Sequence, residues 1–513
     1  MRRPSVATWT ALGLAAAGFC LRAPAAIGRS LNTDEVYFAL AARDGGVWRA
    51  LFADVHPPLY PLFLSALTRL GVPEIGWRFA SILCWIGAGL FAWRLGRRIA
   101  GEMAGLFALA LLMVAPQGFS LSLAVRSYAP ATLLAAWTFA AFAALCDAPD
   151  RRRSTTLAVA AALACYCFYY NLLLLAGIAA AGLCLARRKH AAARPTLRAA
   201  ALAGVLFAPG VPLLLRQYHH SLGGGWFELE FTPRNLVRRL AQIFAQASGL
   251  DGAEMAVRHL LPSIAGAFGV TLTFVLLAWG YWRLRQAEPA AARGRLAALS
   301  ALPIAAVVSA IAGHWLLHAF FALHYFTILA APIAVVVVAP FALARRAAAA
   351  GALFAVLLVA DASVLGPAAR RGDEPLRPAV QWIDARLGPH DVGLGVAWFA
   401  ADAYRYYGRG RTFLGVPADL REATDRAEPR VQRGIAEAAD LARLPARIAG
   451  ANRIALLLTH DTWRGADRGV ALTKQTLAAA GFAPAETAAW PLPADPPAVR
   501  AELWRRSPGK EQQ

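Results

Sequence analysis

The acids that could carry chemistry in this chain lie between Leu31 and Tyr60, in LNTDEVYFALAARDGGVWRALFADVHPPLY. Asp34 and Glu35 are adjacent there, with Asp44, Asp54 and His56 close behind. A carboxylate beside a hydroxyl can take its proton as that oxygen forms a new bond. Two neighbouring acids can divide the work, one as base and one orienting a substrate or a metal. The plainer reading is a solvated acidic pair in a loop. Charged groups beside a bilayer are costly unless solvated or used, and Tyr37 and Phe38 follow directly as residues that set a loop at a membrane interface.

Other residues could meet the rest of a substrate. In Asp54-Val55-His56-Pro57-Pro58 the prolines hold their neighbours extended and so fix the direction of His56. That histidine could bind a metal, contact a phosphate or cap a helix. Arg126-Ser127-Tyr128 sits at the mouth of an apolar run. An arginine there supplies a fixed charge with several donors, suited to a phosphate leaving group, or it is an interfacial side chain reaching for water. His324-Tyr325, His219-His220 and Arg78 fall on the same side of the chain's pattern and, with Asp54, are candidates for a site wall.

The elements that must hold these residues are membrane helices. Of the 513 residues 58% are hydrophobic and 16% charged, with mean hydropathy +0.46, whereas a soluble domain carries about a quarter charged residues. The net charge of +21 would suggest nucleic acid in a soluble protein. Here the basic residues form short knots between apolar runs, the pattern of cytoplasmic loops, so nucleic acid is excluded as a partner and membrane lipids are expected. The six cysteines (Cys20, Cys84, Cys146, Cys165, Cys167 and Cys184) lie in or beside apolar runs without zinc spacing and read as packing residues.

Runs able to cross about 30 Å of hydrocarbon occur at 6–22, 76–94, 101–116, 127–146, 154–170, 171–186, 198–216, 261–281, 296–317, 326–344 and 347–364, about eleven in all. The first is expected to be a retained signal-anchor. With the N-terminus inside, the inner loops hold Arg94/Arg97/Arg98, Arg151/Arg152/Arg153, Arg187/Arg188/Lys189, Arg283/Arg285/Arg293/Arg295 and Arg345/Arg346. That is the positive-inside pattern. The outer connections are then 23–57, 117–126, 217–260, 318–325 and the tail after Leu365.

Three stretches fit other roles. His56 to Leu70 is too short for a comfortable span and is expected to be a helix at or dipping into the outer surface. Pro233 to Ala247 has apolar residues at helical spacing, giving an amphipathic surface helix that is either a lid or a connector. Residues 366–513 alternate helix-like and strand-like segments, a soluble α/β domain. Helices are expected at Leu376–Leu387, Glu428–Leu444 and Lys474–Ala480, and strands at Val392–Trp398, Arg453–Thr459, Ala485–Trp490 and Val499–Trp504. This tail carries no phosphate-binding glycine loop, metal spacing or nucleophile elbow.

A signal-anchor, Asp34-Glu35 in the first outer loop, then VHPPLY and Arg78-Phe79-Ala80-Ser81, together resemble the GT-C glycosyltransferases. The likeness is greatest to bacterial relatives of the protein O-mannosyltransferases and of the lipid A aminoarabinose transferase. The resemblance covers roughly residues 1–365 in layout, and its specific motifs lie at 31–60, 78–81, 126–128 and 324–325. It implies a mainly α, polytopic GT-C-like domain (1–365, with outer loops 23–75 and 217–260) followed by a soluble domain (366–513). It also implies a polyprenyl-phosphate-linked sugar donor, hexosyl or pentosyl, and an envelope glycan, lipid or protein acceptor. The reaction would be an inverting displacement at the periplasmic face of a bacterial inner membrane. By resemblance Asp34 is the base and Glu35 its support. His56 belongs to the adjacent wall, and Arg126 and Tyr128 meet the donor phosphate, with His324 and Tyr325 beside them. Many relatives carry Arg-Tyr where this chain has His324-Tyr325, and a neutral histidine is a weaker phosphate clamp. Several relatives use a metal ion, for which Glu35 and His56 are the candidate ligands. The competing classes are a lipid or sugar transporter, whose ionisable groups would sit in mid-span, often in repeated halves, and a non-catalytic scaffold.

Overall fold

A computed structural model describes residues 5–43, 56–221, 235–287, 293–317, 322–370, 373–396, 399–421, 435–459, 466–492 and 495–507. The chain forms two compact units. One comprises Met1–Ile27, Asp54–Gln217 and Phe227–Arg371, and the other Gly28–Ala53, Tyr218–Trp226 and Gly372–Gln513. Thr33–Arg43, which holds Asp34 and Glu35, therefore folds with the tail, not with the helices that flank it in sequence.

The first unit is helical. Among the described residues nine helices are long and apolar enough to cross a membrane, or ten if the bent pair Glu102–Val114 and Pro116–Leu123 is one span. The sequence suggested about eleven. The eleventh is the helix Arg151–Cys167, whose 17 residues are at the short end for a span but which returns the chain from the Asp147 end of its neighbour to Phe168 beside Tyr128. Leu59–Arg69, at 11 residues, is shorter still and does not span, as expected for the stretch after His56.

Burial shows which helix is central. In Leu323–Ala342, 83% of the most apolar window is enclosed, against 22% in Val6–Ala26. A helix that is apolar all round is one that other helices surround. Its first turns, Leu323–Leu329, are wound as a 3-10 helix, so His324 and Tyr325 start from the best-packed element of the unit. Helices Glu74–Ala100 and Glu102–Val114 touch backbone to backbone where Gly96 meets Gly105. A Cβ on Gly96 would lie 2.8 Å from the Gly105 Cα, so only small residues permit this approach. At the end of the bundle rich in basic residues, Arg98 pairs with Asp147 at 2.8 Å and ties two helix ends together.

The expected amphipathic helix is present as Leu236–Ser248; residues 233–234 lie outside the described residues. Ile243, Ala245 and Ala247 are buried, and the helix packs against Leu323–Leu329. This part of the helix is thus turned to protein.

The second unit contains a five-stranded sheet: β1 Val392–Val396, β2 Phe413–Val416, β3 Arg453–Thr459, β4 Phe482–Leu492 and β5 Asp495–Arg506, in the order β2-β1-β3-β5-β4. β1 runs parallel to β2 and β3, while β5 is antiparallel to both β3 and β4. Every residue of β1 is buried, which is why it reads as continuous apolar chain rather than as an alternation. The expected α/β domain is therefore present, with β2 as the strand that four residues without alternation concealed. Leu376–Asp384 is a helix as expected, and the helix expected at Lys474–Ala480 is the end of a longer one, Ala466–Ala479. Of Glu428–Leu444, residues 428–434 lie outside the described residues, and the rest contains the single turn Ala438–Leu441.

Thr33–Arg43, an 11-residue helix, belongs to this unit and packs on the helix Phe399–Tyr407. Glu374 accepts hydrogen bonds from the Thr33 amide at 3.0 Å and the Thr33 hydroxyl at 2.9 Å. The Tyr407 hydroxyl accepts from the Leu31 amide at 2.7 Å. Arg43 donates to the carbonyls of Arg405 and Tyr406 and lies over the Tyr406 ring.

Candidate functional site

In the helical unit, a buried arginine collects residues from four separate connections. Arg126 lies in the short link between Pro116–Leu123 and the helix Tyr128–Asp147. Its terminal nitrogen lies 3.3 Å from His56 Nε2 and donates to the Tyr128 hydroxyl at 3.3 Å, with the guanidinium 5.4 Å from the Tyr128 ring centre. The backbone of His56 is itself fixed: Gln217 donates to the His56 carbonyl at 3.0 Å and accepts from the Tyr169 hydroxyl at 2.6 Å. A guanidinium recognises an anion through directed, charged donors.

Aromatic rings form one side of this cluster. Tyr128 stands edge-on to His324 at 4.9 Å and to Phe168 at 5.9 Å, and lies 6.1 Å from Tyr325. Tyr325 contacts Phe168 at 5.1 Å and Tyr170 at 4.6 Å. Thr132 donates to Thr327 at 3.3 Å, and Thr327 to the His324 carbonyl at 2.9 Å. These bonds lock the central helix to the one that begins at Tyr128. The result is one fixed cation beside a wall of apolar and weakly polar rings, a setting matched to a phosphate attached to a hydrocarbon or a sugar.

His56, Arg126, Tyr128, His324 and Tyr325 are thus brought together as the sequence suggested. Phe168, Tyr169, Tyr170 and Gln217 were missed. Their signal was the run Phe168-Tyr169-Tyr170 at the junction of two apolar stretches, since aromatics gather where spans meet the interface. Arg78 is buried and donates to the Leu123 carbonyl at 2.5 Å, three residues before Arg126. Asp54 lies outside the described residues, as do the side chains of His219 and His220.

Asp34 and Glu35 open the helix Thr33–Arg43 of the other unit. Their environments differ although they are adjacent. Asp34 is exposed, whereas Glu35 is fully buried. The Glu35 carboxylate accepts from the Asn32 amide at 2.9 Å, and the Asn32 side chain accepts from the Glu35 amide at 2.9 Å. This reciprocal cap satisfies two amides that the helix start leaves open, and such caps contribute about 1 kcal/mol. Asp34 gains the favourable field of the helix N-terminus. Among the described residues no three His, Cys, Asp or Glu side chains converge as a metal-binding group.

The sequence model of the family described as dolichyl-phosphate-mannose-protein mannosyltransferase matches residues 55–212. That stretch contains His56, Arg126, Tyr128, Phe168 and Tyr170. No match is found among curated proteins. Among solved structures, ArnT from Cupriavidus metallidurans in the apo state is similar with 13% identity and a TM-score of 0.51, over 97% of this chain and 98% of that one. ArnT from the same organism bound to undecaprenyl phosphate gives 14% identity and a TM-score of 0.51 over the same shares. The archaeal oligosaccharyltransferase AglB from Archaeoglobus fulgidus, in complex with an inhibitory peptide and a dolichol-phosphate, gives 12% and 0.50, over 87% of this chain and 69% of that one. At such identities the likeness is one of fold: this chain has the ArnT-like, GT-C architecture that its motifs implied.

Proposed function

We propose that this GT-C-fold chain is a glycosyltransferase moving a sugar from a polyprenyl-phosphate-linked donor to a cell-envelope acceptor, at the periplasmic face of a bacterial inner membrane. The observation that carries the reading is the Arg126 cluster, a buried guanidinium held by His56 and Tyr128 beside the rings of Phe168, Tyr170, His324 and Tyr325. The family match over residues 55–212 supports it by covering most of that cluster.

The chemistry balances in one displacement. The acceptor hydroxyl attacks the anomeric carbon as the bond from that carbon to the phosphate oxygen breaks. The hydroxyl proton passes to Asp34, and the bonding electron pair leaves with the polyprenyl phosphate. Arg126 meets the charge that grows on that phosphate. Attack from the face opposite the leaving group inverts the sugar. Glu35 supports Asp34 by fixing the helix turn on which it stands.

Purified full-length protein in lipid vesicles, supplied with polyprenyl-phosphate hexoses and pentoses and envelope acceptors, should release polyprenyl phosphate in step with glycosylated product. Movement of intact donor across the bilayer with no bond broken would instead identify a transporter. Mass spectrometry of surface glycans from a deletion strain would then show which acceptor loses its sugar.

Orientation has its own test. With the native cysteines replaced, a cysteine at Ala418 should react with an impermeant thiol reagent added outside, and one at Ala148 should not. The reverse pattern would put the tail in the cytoplasm.

A further inference from the structure

We propose that Arg22, Arg78 and Trp85 are positioning residues for Arg126: Trp85 and Arg22 replace backbone bonds lost at the break in the helix that precedes it, and Arg78 holds the C-terminal end of that helix. This rests on the donor-phosphate role given to Arg126 above. Helices Glu102–Val114 and Pro116–Leu123 meet at an angle of 61°. In an unbroken helix the Leu112 and Met113 carbonyls would accept from residues 116 and 117. Pro116 has no amide hydrogen, and Ala115, at φ −56° and ψ 117°, turns the chain out of the helix. Both carbonyls instead take side-chain donors. The Trp85 indole donates to Leu112 at 2.9 Å and Arg22 donates to Met113 at 2.8 Å.

The short second helix is clamped along its length by the same residues. Arg22 also donates to the Ser122 hydroxyl at 2.8 Å, and Ser122 in turn donates to the Phe119 carbonyl at 2.8 Å. The Arg22 guanidinium lies 4.8 Å from the Phe119 ring centre. Gly118 leaves room for the Trp85 ring, since a Cβ there would fall 1.9 Å from it. At the far end Arg78 donates to the Leu123 carbonyl at 2.5 Å, three residues before Arg126. Arg22 and Arg78 are both buried, at 0% and 1% exposure. Charges so placed in a membrane protein are costly unless they have a task; here Arg22 satisfies a carbonyl that the break opens, and Arg78 one at the end of the helix that follows. A helix interrupted next to a site needs such substitutes to hold one geometry, and Arg126 can aim only where Pro116–Leu123 delivers it.

The test is a double-mutant cycle read as undecaprenyl phosphate affinity of the full-length protein in nanodiscs. Arg126→Ala, Arg78→Met and Trp85→Phe should each weaken binding, the first by about 10-fold or more for loss of a charged hydrogen bond. Arg78→Met or Trp85→Phe added to Arg126→Ala should cost nothing further, because residues acting through one another are not additive. Arg78→Lys, which can still donate to Leu123, should retain most of the affinity. Losses that multiply across the Arg126→Ala background, or full affinity in both Arg78→Met and Trp85→Phe, would overturn the inference while leaving the phosphate role of Arg126 standing. Unchanged affinity in Arg126→Ala would overturn both. If Arg78→Met does not accumulate, Trp85→Phe decides alone, since it keeps the ring beside Gly118 and deletes a single N–H.

Discussion

Asp34→Asn should lower turnover by about 100- to 10,000-fold, the usual cost of removing a general base, while the protein still inserts and binds its donor. Asparagine keeps the size and hydrogen-bonding reach of the side chain but cannot accept the acceptor's proton. Asp34 is exposed at the first turn of its helix, and Asn is nearly isosteric with Asp. Glu35→Gln is the matched control. Glutamine can still accept from the Asn32 amide, so the reciprocal cap persists and the loss should be smaller. Steady-state rates must be compared with donor binding checked on the same purified samples. Retention of more than about a tenth of wild-type turnover in Asp34→Asn lies outside the range for a base, and the search would move to Glu35 and Asp54.

Arg126→Ala should reduce kcat by about 100- to 1,000-fold, as loss of a donor that meets developing charge does. Arg126→Lys should fall between that variant and wild type, because the charge remains while the planar fork is lost. Its partners sharpen the expectation. His56 and Tyr128 hold the guanidinium at 3.3 Å, and an ammonium on a flexible stem cannot reproduce both contacts and the approach to the ring. Equal and near-full rates for Lys and Ala, at matched expression, would reduce Arg126 to an anchor at the membrane boundary.

Sequence alone carried the membrane architecture and half of the candidate site. Apolar runs of span length and basic knots between them are local, one-dimensional signals, because the bilayer imposes length and the membrane imposes sign. The tail's strand at Arg453–Thr459 was legible to the residue for a similar reason: a continuous apolar run needs no partner to be recognised. His56, Arg126, Tyr128, His324 and Tyr325 could be nominated because each is a polar or aromatic residue at the end of an apolar run. Their convergence, and the entry of Phe168, Tyr170 and Gln217, was decided by packing between helices far apart in the chain. So was the fate of the paired acids. Neighbours in sequence, Asp34 and Glu35 separate into an exposed carboxylate and a buried cap only because successive residues on a helix face different directions. Arg78 shows the same limit, since its charge was legible in sequence but its contact with the Leu123 carbonyl was not. Backbone groups freed by a break at Ala115 leave no mark in composition or periodicity, and only the folded chain shows which side chains replace the missing bonds.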